Sequence, residues 1–288
     1  VAPKKSFVDL KFMSGQINIV STPIGNLKDI TLRAIETLES VDLILAEDTR
    51  IAKKLLNHFS INNTLESFND KNEDLKNENL IKDLKEGKNI AIISDAGTPL
   101  ISDPGFKLIR SAREESIKVT PIPGCTALIA GLSASGISSD KFTFLGFLPR
   151  TKIKRRKNLR QLIHKQETLI FFESVHRIGS TIADMKELFG QERKAVLCKE
   201  ITKIYESFIG NNFMEITDYI KEHQDKLKGE FTIIVEGNRE LTIDLQKIDK
   251  ILDILQSQIS SKDAIKICSI ITGYKKSTIY KRLLERKQ

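Results

Sequence analysis

Short apolar runs alternate with helical patterns in the first half of the chain. The apolar runs have the length of β-strands, and they occupy residues 16–21, 41–46, 89–94 and 118–121. The segments between and after them show the spacing of amphipathic helices, at residues 31–39, 49–59, 74–85 and 126–133. This alternation predicts βαβ units and a mostly parallel sheet.

A second strand–helix series follows in the other half of the chain. Its predicted strands are residues 168–172, 194–199, 205–209 and 231–236, with a helix at 178–188. A further predicted strand, residues 142–147, either closes the first domain or leads out of it. After Gly237 the pattern becomes wholly helical, with predicted helices at residues 248–255, 261–270 and 275–284. A tight turn at 272–274 separates the last two, which indicates a small helix-turn-helix unit.

These patterns predict an α/β fold with two α/β domains and a small C-terminal helical extension. The predicted domains are residues 16–136, 137–240 and 241–288. Residues 1–15 are predicted to be a tag or a disordered N-terminus. The start VAPKKSFVDLKF is too polar for a secretory signal, whereas Met13-Ser14-Gly15 has the form of a natural start, so we expect residues 1–12 to be a remnant.

The net charge and the cysteine content indicate which partners, metal sites and cellular location to expect. The chain has 288 residues and a formal net charge of +8, which favours a polyanionic partner without identifying one. Its three cysteines, Cys125, Cys198 and Cys268, are far apart and form no Cys/His cluster. Neither a metal site nor a disulfide framework is therefore predicted, and a cytoplasmic location is expected. No apolar run approaches the ~18 residues of a membrane span.

Three loops rich in Gly and Pro follow predicted strands of the first domain. They are residues 22–26 (TPIGN), 95–99 (DAGTP) and 121–126 (PIPGCT). In open α/β sheets the ligand crevice lies at the carboxyl ends of the strands, and Gly lets backbone groups approach a ligand closely. One such loop is often a plain turn, but three in one domain favour a binding site. No GxGxxG follows a strand and no GxxxxGK[ST] is present, which disfavours standard dinucleotide enzymes and P-loop kinases.

Three charged stretches also lie at predicted strand ends: 47–50 (EDTR), 172–177 (FESVHR) and 199–203 (KEITK). Each has a structural alternative. The acidic residues of the first would stabilise a helix N-terminus, and Ser174 would cap a helix. A lone histidine such as His176 is more often structural than catalytic. The third stretch would be a solvated strand end.

Seven stretches of the sequence carry a specific resemblance. They are STPIGNLKDIT (21–31), AEDTR (46–50), SDAGTPLISDPG (94–105), PIPGCTAL (121–128), FFESVHRI (171–178), KEITK (199–203) and GEFTIIVEG (229–237). Together, in order and spacing, they resemble the ribosomal RNA small subunit methyltransferase I family, a branch of the tetrapyrrole methylases, or class III methyltransferases. The helical tail is similar to the family's C-terminal helix-turn-helix extension. Val175 stands where the family's pattern leads us to expect Pro, and Ser21 where Ala is common.

The resemblance implies a homodimer that binds S-adenosylmethionine, folded, in the cleft between two α/β domains. It also implies methyl transfer to the ribose 2′-oxygen of a cytidine in the decoding centre of 16S rRNA. The cofactor-binding residues that it implies are Pro23, Ile24, Gly25, Asn26, Asp95, Ala96, Gly97, Thr98, Pro99, Ile101, Ser102, Asp103, Gly124, Cys125, Thr126, Phe172 and Thr232.

The reaction requires oxygen, carbon and sulfur to be nearly collinear, so positioning should supply much of the acceleration. A ribose hydroxyl is a poor nucleophile when protonated, and a positioned base would help. The candidate bases are Glu47, Glu173 and Glu200, with Glu47 and Glu200 preferred. Lys199 or Lys203 would lower the pKa of the hydroxyl or bind a phosphate.

A strongly basic stretch between residues 150 and 160 contains no acidic residue, although a charge run is often only a solvated helix face. Its density predicts a phosphate-binding patch, whose affinity would fall steeply with salt. The predicted RNA-binding residues are Arg50, Arg150, Lys154, Arg155, Arg156, Lys157 and Arg160.

Two other functions remain open at this point. One is a methyltransferase acting on carbon atoms of a tetrapyrrole, which would share the cofactor loops. The other is a non-catalytic ribosome-binding protein that has kept the fold. The basic stretch, the basic tail and the detailed motifs favour RNA methylation over both.

Overall fold

The computed structural model describes residues 14–223, 227–238 and 245–286, with only the backbone described at 245–247. The predicted N-terminal remnant, residues 1–12, lies outside the described residues. The chain divides into two compact units, residues 1–237 and 238–288. No helix within the described ranges is long and apolar enough to cross a membrane.

The first sheet is wholly parallel and has the strand order β3-β2-β4-β1-β5. Its strands are β1 (Gln16–Val20), β2 (Leu43–Ala46), β3 (Leu65–Ser67), β4 (Ile90–Ile93) and β5 (Lys118–Ile122). Pro121 lies in the edge strand β5, opposite Ile19 of β1. A parallel sheet needs crossover connections, and helices supply them here.

Helices cover both faces of this sheet because successive residues of a strand point to opposite sides. On one face, Ile44 of β2 packs in a core with α1 (Leu32–Ser40) and α2 (Thr49–His58). On the other face, Leu45 packs in a core with α3 (Glu73–Lys85) and α4 (Phe106–Glu114). This double burial explains why β2 and β4 are continuous apolar runs.

The second sheet is mixed and has the order β6-β7-β10-β8-β9. Its strands are β6 (Phe142–Phe147), β7 (Thr168–Ser174), β8 (Ala195–Lys199), β9 (Ser207–Ile209) and β10 (Glu230–Val235). Only the pair β6–β7 is parallel, and the pairs that join β7, β10, β8 and β9 are antiparallel. One face is covered by α6 (Lys152–Leu162), α7 (Ile178–Phe189) and α8 (Phe213–Glu222).

Helix α5 (Ala127–Ala134) follows the last strand of the first sheet and packs on the free face of the second. Leu128 and Leu132 contact a layer that includes Ile170, Cys198 and Ile234. A Cβ at Gly131 would lie 3.3–3.4 Å from Ile234, Cys198 and Ile201, so a larger residue would force the helix outwards. The helix therefore joins the two sheets through a common core.

The smaller unit contains α9 (Leu245–Gln256), α10 (Ser261–Thr272) and α11 (Lys276–Glu285). Its own core consists of Ile248, Leu252, Ala264, Cys268, Ile279 and Leu283. Gly273, at φ +73°, ends α10 in the left-handed conformation that glycine adopts without strain. Arg282 of α11 forms an ion pair with Asp249 of α9.

The predicted fold class is confirmed, and each predicted strand is present within a few residues of its expected bounds. The sequence patterns missed the short strand β3 and the helices α4, α6 and α8. The division between the predicted domains 16–136 and 137–240 stays a prediction.

Candidate active site

A cleft of about 380 Å³ lies between the two sheets. The first sheet contributes residues from the loops that follow β1, β4 and β5, at the carboxyl ends of those strands. The second sheet contributes the ends of β6 and β7, the start of β10 and the loop after β8. The lining residues are Ile24, Asp95, Ala96, Gly97, Thr98, Ile101, Ser102, Asp103, Thr126, Ala127, Phe147, Phe172, Glu173, Ser174, Val175, Ile201, Gly229, Glu230, Phe231 and Thr232.

Hydrogen bonds hold the three glycine-bearing loops together at this edge of the sheet. The backbone N–H groups of Thr22 and Gly97 each donate to the other residue's carbonyl, at 2.9 and 3.0 Å. The hydroxyls of Ser21 and Thr98 are 2.9 Å apart, and Thr98 donates to the carbonyl of Cys125 at 3.1 Å. The loops after β1, β4 and β5 therefore converge on one place.

Glycine is required at two points of these loops. Gly97 has a backbone φ of +86°, a value that residues other than glycine rarely adopt. At Gly124, a Cβ would lie 2.8 Å from the Cβ of Ser21, so the loop after β5 could not approach the loop after β1. These two glycines set the shape of the cleft floor.

The wall from the second sheet is aromatic. Phe172 lies next to Thr232 in the register of β7 and β10. Its ring makes edge contacts with the rings of Phe144 and Phe147, with centroids 4.8 and 5.8 Å apart. Such packing fixes the Phe172 ring and offers an apolar surface to a planar ligand.

Carboxylates concentrate on the other side of the cleft. Burial and the negative charge of Asp95 raise the pKa of Asp103 to about 6, against a lowering hydrogen bond from Ser94. Burial also raises the pKa of Asp95, although the N–H of Asp48 donates to its carboxylate at 3.1 Å. These carboxylates form an electronegative rim. None of the described residues that line the cleft is a cation that could neutralise their charge.

Glu47 lies beside this rim, and its pKa is raised by burial and then by the charges of Asp95 and Asp103. Within the described part of the chain, no hydrogen bond or ion pair engages the Glu47 carboxylate. Arg50, three residues on, is exposed and forms an ion pair with Asp48 at 2.6 Å instead. Glu47 does not line the cleft itself, but it is a carboxylate next to the cleft rim that is free to accept a proton.

Glu173 lines the cleft, but its carboxylate is buried and fully engaged. It accepts hydrogen bonds from Thr181 Oγ1 at 2.7 Å, from the N–H of Ser174 at 2.8 Å and from Arg177 at 3.1 Å. These bonds anchor the end of β7 to the start of α7. The arrangement is typical of a structural carboxylate.

Glu200 and Lys203 lie outside the cleft lining, in the loop after β8. Burial opposes ionisation of Glu200, but hydrogen bonds from Lys203 Nζ and the N–H of Glu230 lower its pKa overall. Lys203 also pairs with Glu230 at 3.2 Å. Both side chains thereby fasten this loop to the start of β10. Lys199, in β8, is buried and does not line the cleft.

Not every predicted cofactor residue lines the cleft. Those that do not are Pro23, Gly25, Asn26, Pro99, Gly124 and Cys125. Sequence reasoning also missed several lining residues, among them Ala127, Phe147, Ile201 and Gly229. Phe147 ends a predicted strand and Gly229 begins the GEFTIIVEG stretch. Their positions at strand ends could therefore have identified them as lining residues.

The predicted basic patch is only partly on the surface of α6. Arg155 is 4% exposed and its guanidinium lies 2.6 Å from the carboxylate of Asp184, which is also buried. Arg156 pairs with Asp184 and Glu187. Both arginines serve intramolecular ion pairs, which does not fit their predicted role in RNA binding. The exposed predicted members of this patch are Arg150, Lys154, Lys157 and Arg160.

Comparison with protein families identifies the two parts of the chain. The family described as Tetrapyrrole (Corrin/Porphyrin) Methylases matches residues 16–217, which include both sheets up to β9. The family described as RsmI C-terminal HTH domain matches residues 243–287, which correspond to the helical unit.

Curated relatives match almost the whole chain. Ribosomal RNA small subunit methyltransferase I of Haemophilus influenzae is 45% identical over 93% of this chain and 96% of its own length. The protein of the same name from Escherichia coli O157:H7 is 45% identical over 94% of this chain and 96% of its own.

Solved structures share the fold at low sequence identity. Uroporphyrin-III-C-methyltransferase from Thermus thermophilus has a TM-score of 0.53 at 19% identity, covering 77% of this chain and 94% of that one. Diphthine synthase has a TM-score of 0.58 at 12% identity, covering 77% and 90%. These two establish the fold, and the family follows from the near full-length relatives. The chain belongs to the tetrapyrrole methylase family and, within it, to the ribosomal RNA small subunit methyltransferase I proteins.

Proposed function

We propose that this protein transfers a methyl group from S-adenosylmethionine to the ribose 2′-oxygen of a decoding-centre cytidine in 16S rRNA. The observation that carries the substrate class is the near full-length match to relatives named ribosomal RNA small subunit methyltransferase I. In this proposal the protein acts in the cytoplasm as a homodimer, on the small ribosomal subunit or its RNA.

The cleft fits S-adenosylmethionine in size and in chemistry. Its volume of about 380 Å³ lies in the range of small-molecule sites, roughly 300–1,000 Å³. Asp95 and Asp103 offer negative charge to a sulfonium and an ammonium group, and Phe172 offers a flat apolar wall to an adenine. A cationic ligand would also offset the burial and the repulsion by Asp95 that raise the pKa of Asp103.

When bound, S-adenosylmethionine supplies an electrophilic methyl group on a positively charged sulfur. The residues of the cleft would hold the donor so that the ribose oxygen can reach its methyl carbon, and the sulfur would leave as a neutral thioether when the carbon–sulfur bond breaks. As the new oxygen–carbon bond forms, the hydroxyl proton must leave. Glu47 is the best candidate to accept that proton, because Glu173 and Glu200 are already held by hydrogen bonds.

RNA binding is assigned to exposed cations of α6 and of the segment that precedes it. Arg150, Lys154, Lys157 and Arg160 are exposed in and beside α6 and carry no ion pair among the described residues. Their positive charge suits the phosphates of an RNA substrate, and such contacts make affinity depend on salt. Lys203 remains a candidate for a phosphate contact, whereas the burial of Lys199 does not fit that role.

Tetrapyrrole C-methylation is the nearest rival. The fold alone does not discriminate, because a uroporphyrin methyltransferase shares it at 19% identity. The exposed cations of α6 favour a polyanion over a macrocycle. A non-catalytic role is disfavoured by the open, electronegative cleft, which has room for a cofactor.

The decisive experiment is transfer of a labelled methyl group to small ribosomal subunits that lack the modification, followed by mapping of the labelled nucleotide. We expect label on one cytidine ribose, and calorimetry should show S-adenosylmethionine binding to the protein alone. Cofactor binding without label in the subunit, but with transfer to a tetrapyrrole, would support the rival function. Sedimentation of the same sample measures whether the protein is a dimer.

Asp103→Asn should weaken S-adenosylmethionine binding by roughly ten- to a hundredfold at neutral pH, because it removes a charged partner of the ligand. Wild-type affinity should fall as the pH drops through about 6, the raised pKa of Asp103, while the variant should lose this step. Calorimetry over a pH series measures both. The exposed Asp140→Asn serves as the matched control and should bind as the wild type does.

The same substitution should stabilise the protein without cofactor. A carboxylate whose folded pKa is raised contributes stability at low pH, and this contribution is lost as the pH rises through the folded value. At neutral pH the charged Asp103 therefore lowers the free energy of unfolding, and the uncharged Asn does not. A lower melting temperature of the cofactor-free variant would contradict this account.

A further inference from the structure

A second cavity of about 600 Å³ opens on the surface close to the cleft. We call it the lateral groove. It is lined by residues 25–28 after β1, by His58 at the end of α2 and by residues 202–205 after β8. Lys28, His58 and Lys203 line it, and none of the described lining residues is acidic, although Glu200 and Glu230 outside the lining pair with Lys203.

The lateral groove and the cofactor cleft are built from the same two loops. Ile24 and Ile201 line the cleft, whereas the residues that follow each of them line the groove. The N–H of Asn26 donates to Thr202 Oγ1 at 3.1 Å, which ties the loops together. A Cβ at Gly25 would lie 2.4 Å from Lys203 Cγ, so the loops pack directly on each other. A chain that reaches into the cleft would therefore pass beside the groove.

Helix α2 connects the cleft rim to the groove. It begins after Asp48, whose N–H donates to Asp95 at the cleft, and it ends at His58 in the groove. Arg50, Lys54 and His58 are spaced four residues apart, so they share one exposed face about 12 Å long. The ten residues of the helix include no acid. This face suits a row of phosphates.

The far wall of the groove presents an exposed aromatic ring on a fixed loop. Tyr205 is 75% exposed and its neighbour Ile204 is 94% exposed. The loop is held by the pair Lys203–Glu200 at 2.8 Å and by the N–H of Thr202, which donates to Glu206 at 2.6 Å. Thr202 has a φ of +67°, a strained value that persists only where the surroundings enforce it. A rigid exposed ring beside cations is typical of a stacking site for a nucleic-acid base.

We propose that the lateral groove binds the single-stranded RNA next to the methylated nucleotide, with one base stacked on Tyr205 and phosphates on Lys28 and Lys54. This inference rests on the proposed function, since the strand is the one whose ribose enters the cleft. The groove would then select an unpaired substrate, because a base in a duplex cannot stack on a protein ring.

The test compares variants in binding to a labelled single-stranded oligoribonucleotide that contains the target cytidine. Tyr205→Ala should weaken binding by about tenfold, and Tyr205→Phe should bind as the wild type does, because the ring is kept. Lys28→Gln with Lys54→Gln should weaken binding and flatten its dependence on salt. The controls are Leu75→Ala, an exposed apolar residue of α3, and Lys118→Gln at the amino end of β5, whereas the groove loops follow the carboxyl ends of their strands.

Further measurements separate the outcomes. Calorimetry should give the same S-adenosylmethionine affinity for all these variants. Unchanged RNA affinity of Tyr205→Ala in a protein that methylates RNA would overturn the groove assignment alone. A wild-type protein that binds the cofactor but no RNA would instead overturn the proposed function. If Tyr205→Ala changed the sedimentation coefficient together with RNA binding, the groove would be an interface between copies of this chain, and the proposal would fail.

Discussion

Glu47→Gln should lower the single-turnover rate of methyl transfer by about 10²–10⁴-fold at saturating cofactor. Gln keeps the size of the side chain but cannot accept the ribose proton. Burial and the charges of Asp95 and Asp103 raise the pKa of Glu47, so the wild-type rate should fall in mildly acidic solution as Glu47 becomes protonated. The variant should lose this part of the pH profile, as single-turnover rates over a pH series would measure.

Two controls make this prediction specific. Glu39→Gln removes an exposed carboxylate of α1 and should leave the rate unchanged. Calorimetry on Glu47→Gln separates a lost base from a lost cofactor contact, since only the second would weaken binding. A rate equal to that of the wild type would remove Glu47 from the mechanism.

Arg155→Ala should lower the free energy of unfolding by about 3–5 kcal/mol, because it leaves the buried carboxylate of Asp184 without its main partner. Thermal and urea unfolding measure the loss. The double variant Arg155→Met, Asp184→Leu should recover most of the stability, since it leaves no unpaired buried charge there and Arg156 keeps Glu187.

The neighbouring lysines provide the matched comparison. Lys154→Gln with Lys157→Gln should leave the unfolding transition in place, because both side chains are exposed. This pair should instead reduce the salt dependence of RNA binding. If the Arg155→Ala protein were as stable as the wild type but bound RNA more weakly, Arg155 would be an RNA-binding residue and its structural role would be excluded.

The parallel first sheet was predictable because its strands are buried on both faces and appear as continuous apolar runs. Strand β3 was missed because it has only three residues and none is fully buried. Helix α4 follows Pro104-Gly105, a pair that reads as a turn, and its N-cap is a glycine without a capping side chain. The elements that the patterns missed are those with weak local signals.

The site was predictable where its chemistry is local in sequence. Gly97 and Asp95 stand in one short loop, and the position of that loop after a strand indicates the crevice. The buried ion pair of Arg155 could not be predicted in the same way, because its partner Asp184 is 29 residues away on another helix. The environment of Glu173 was only partly predictable, because Arg177 is four residues away but Thr181, which also donates to the carboxylate, is eight residues away inside α7.

The edges of the first sheet constrain how copies of this protein can associate. Pro121 in β5 has no N–H to offer a further strand, and β3 at the opposite edge is only three residues long. Strand addition at either border is therefore unfavourable, which protects the protein from edge-to-edge aggregation when it is concentrated. Any pairing of subunits along the borders of this sheet must rely on side-chain packing and not on a continuous intermolecular sheet.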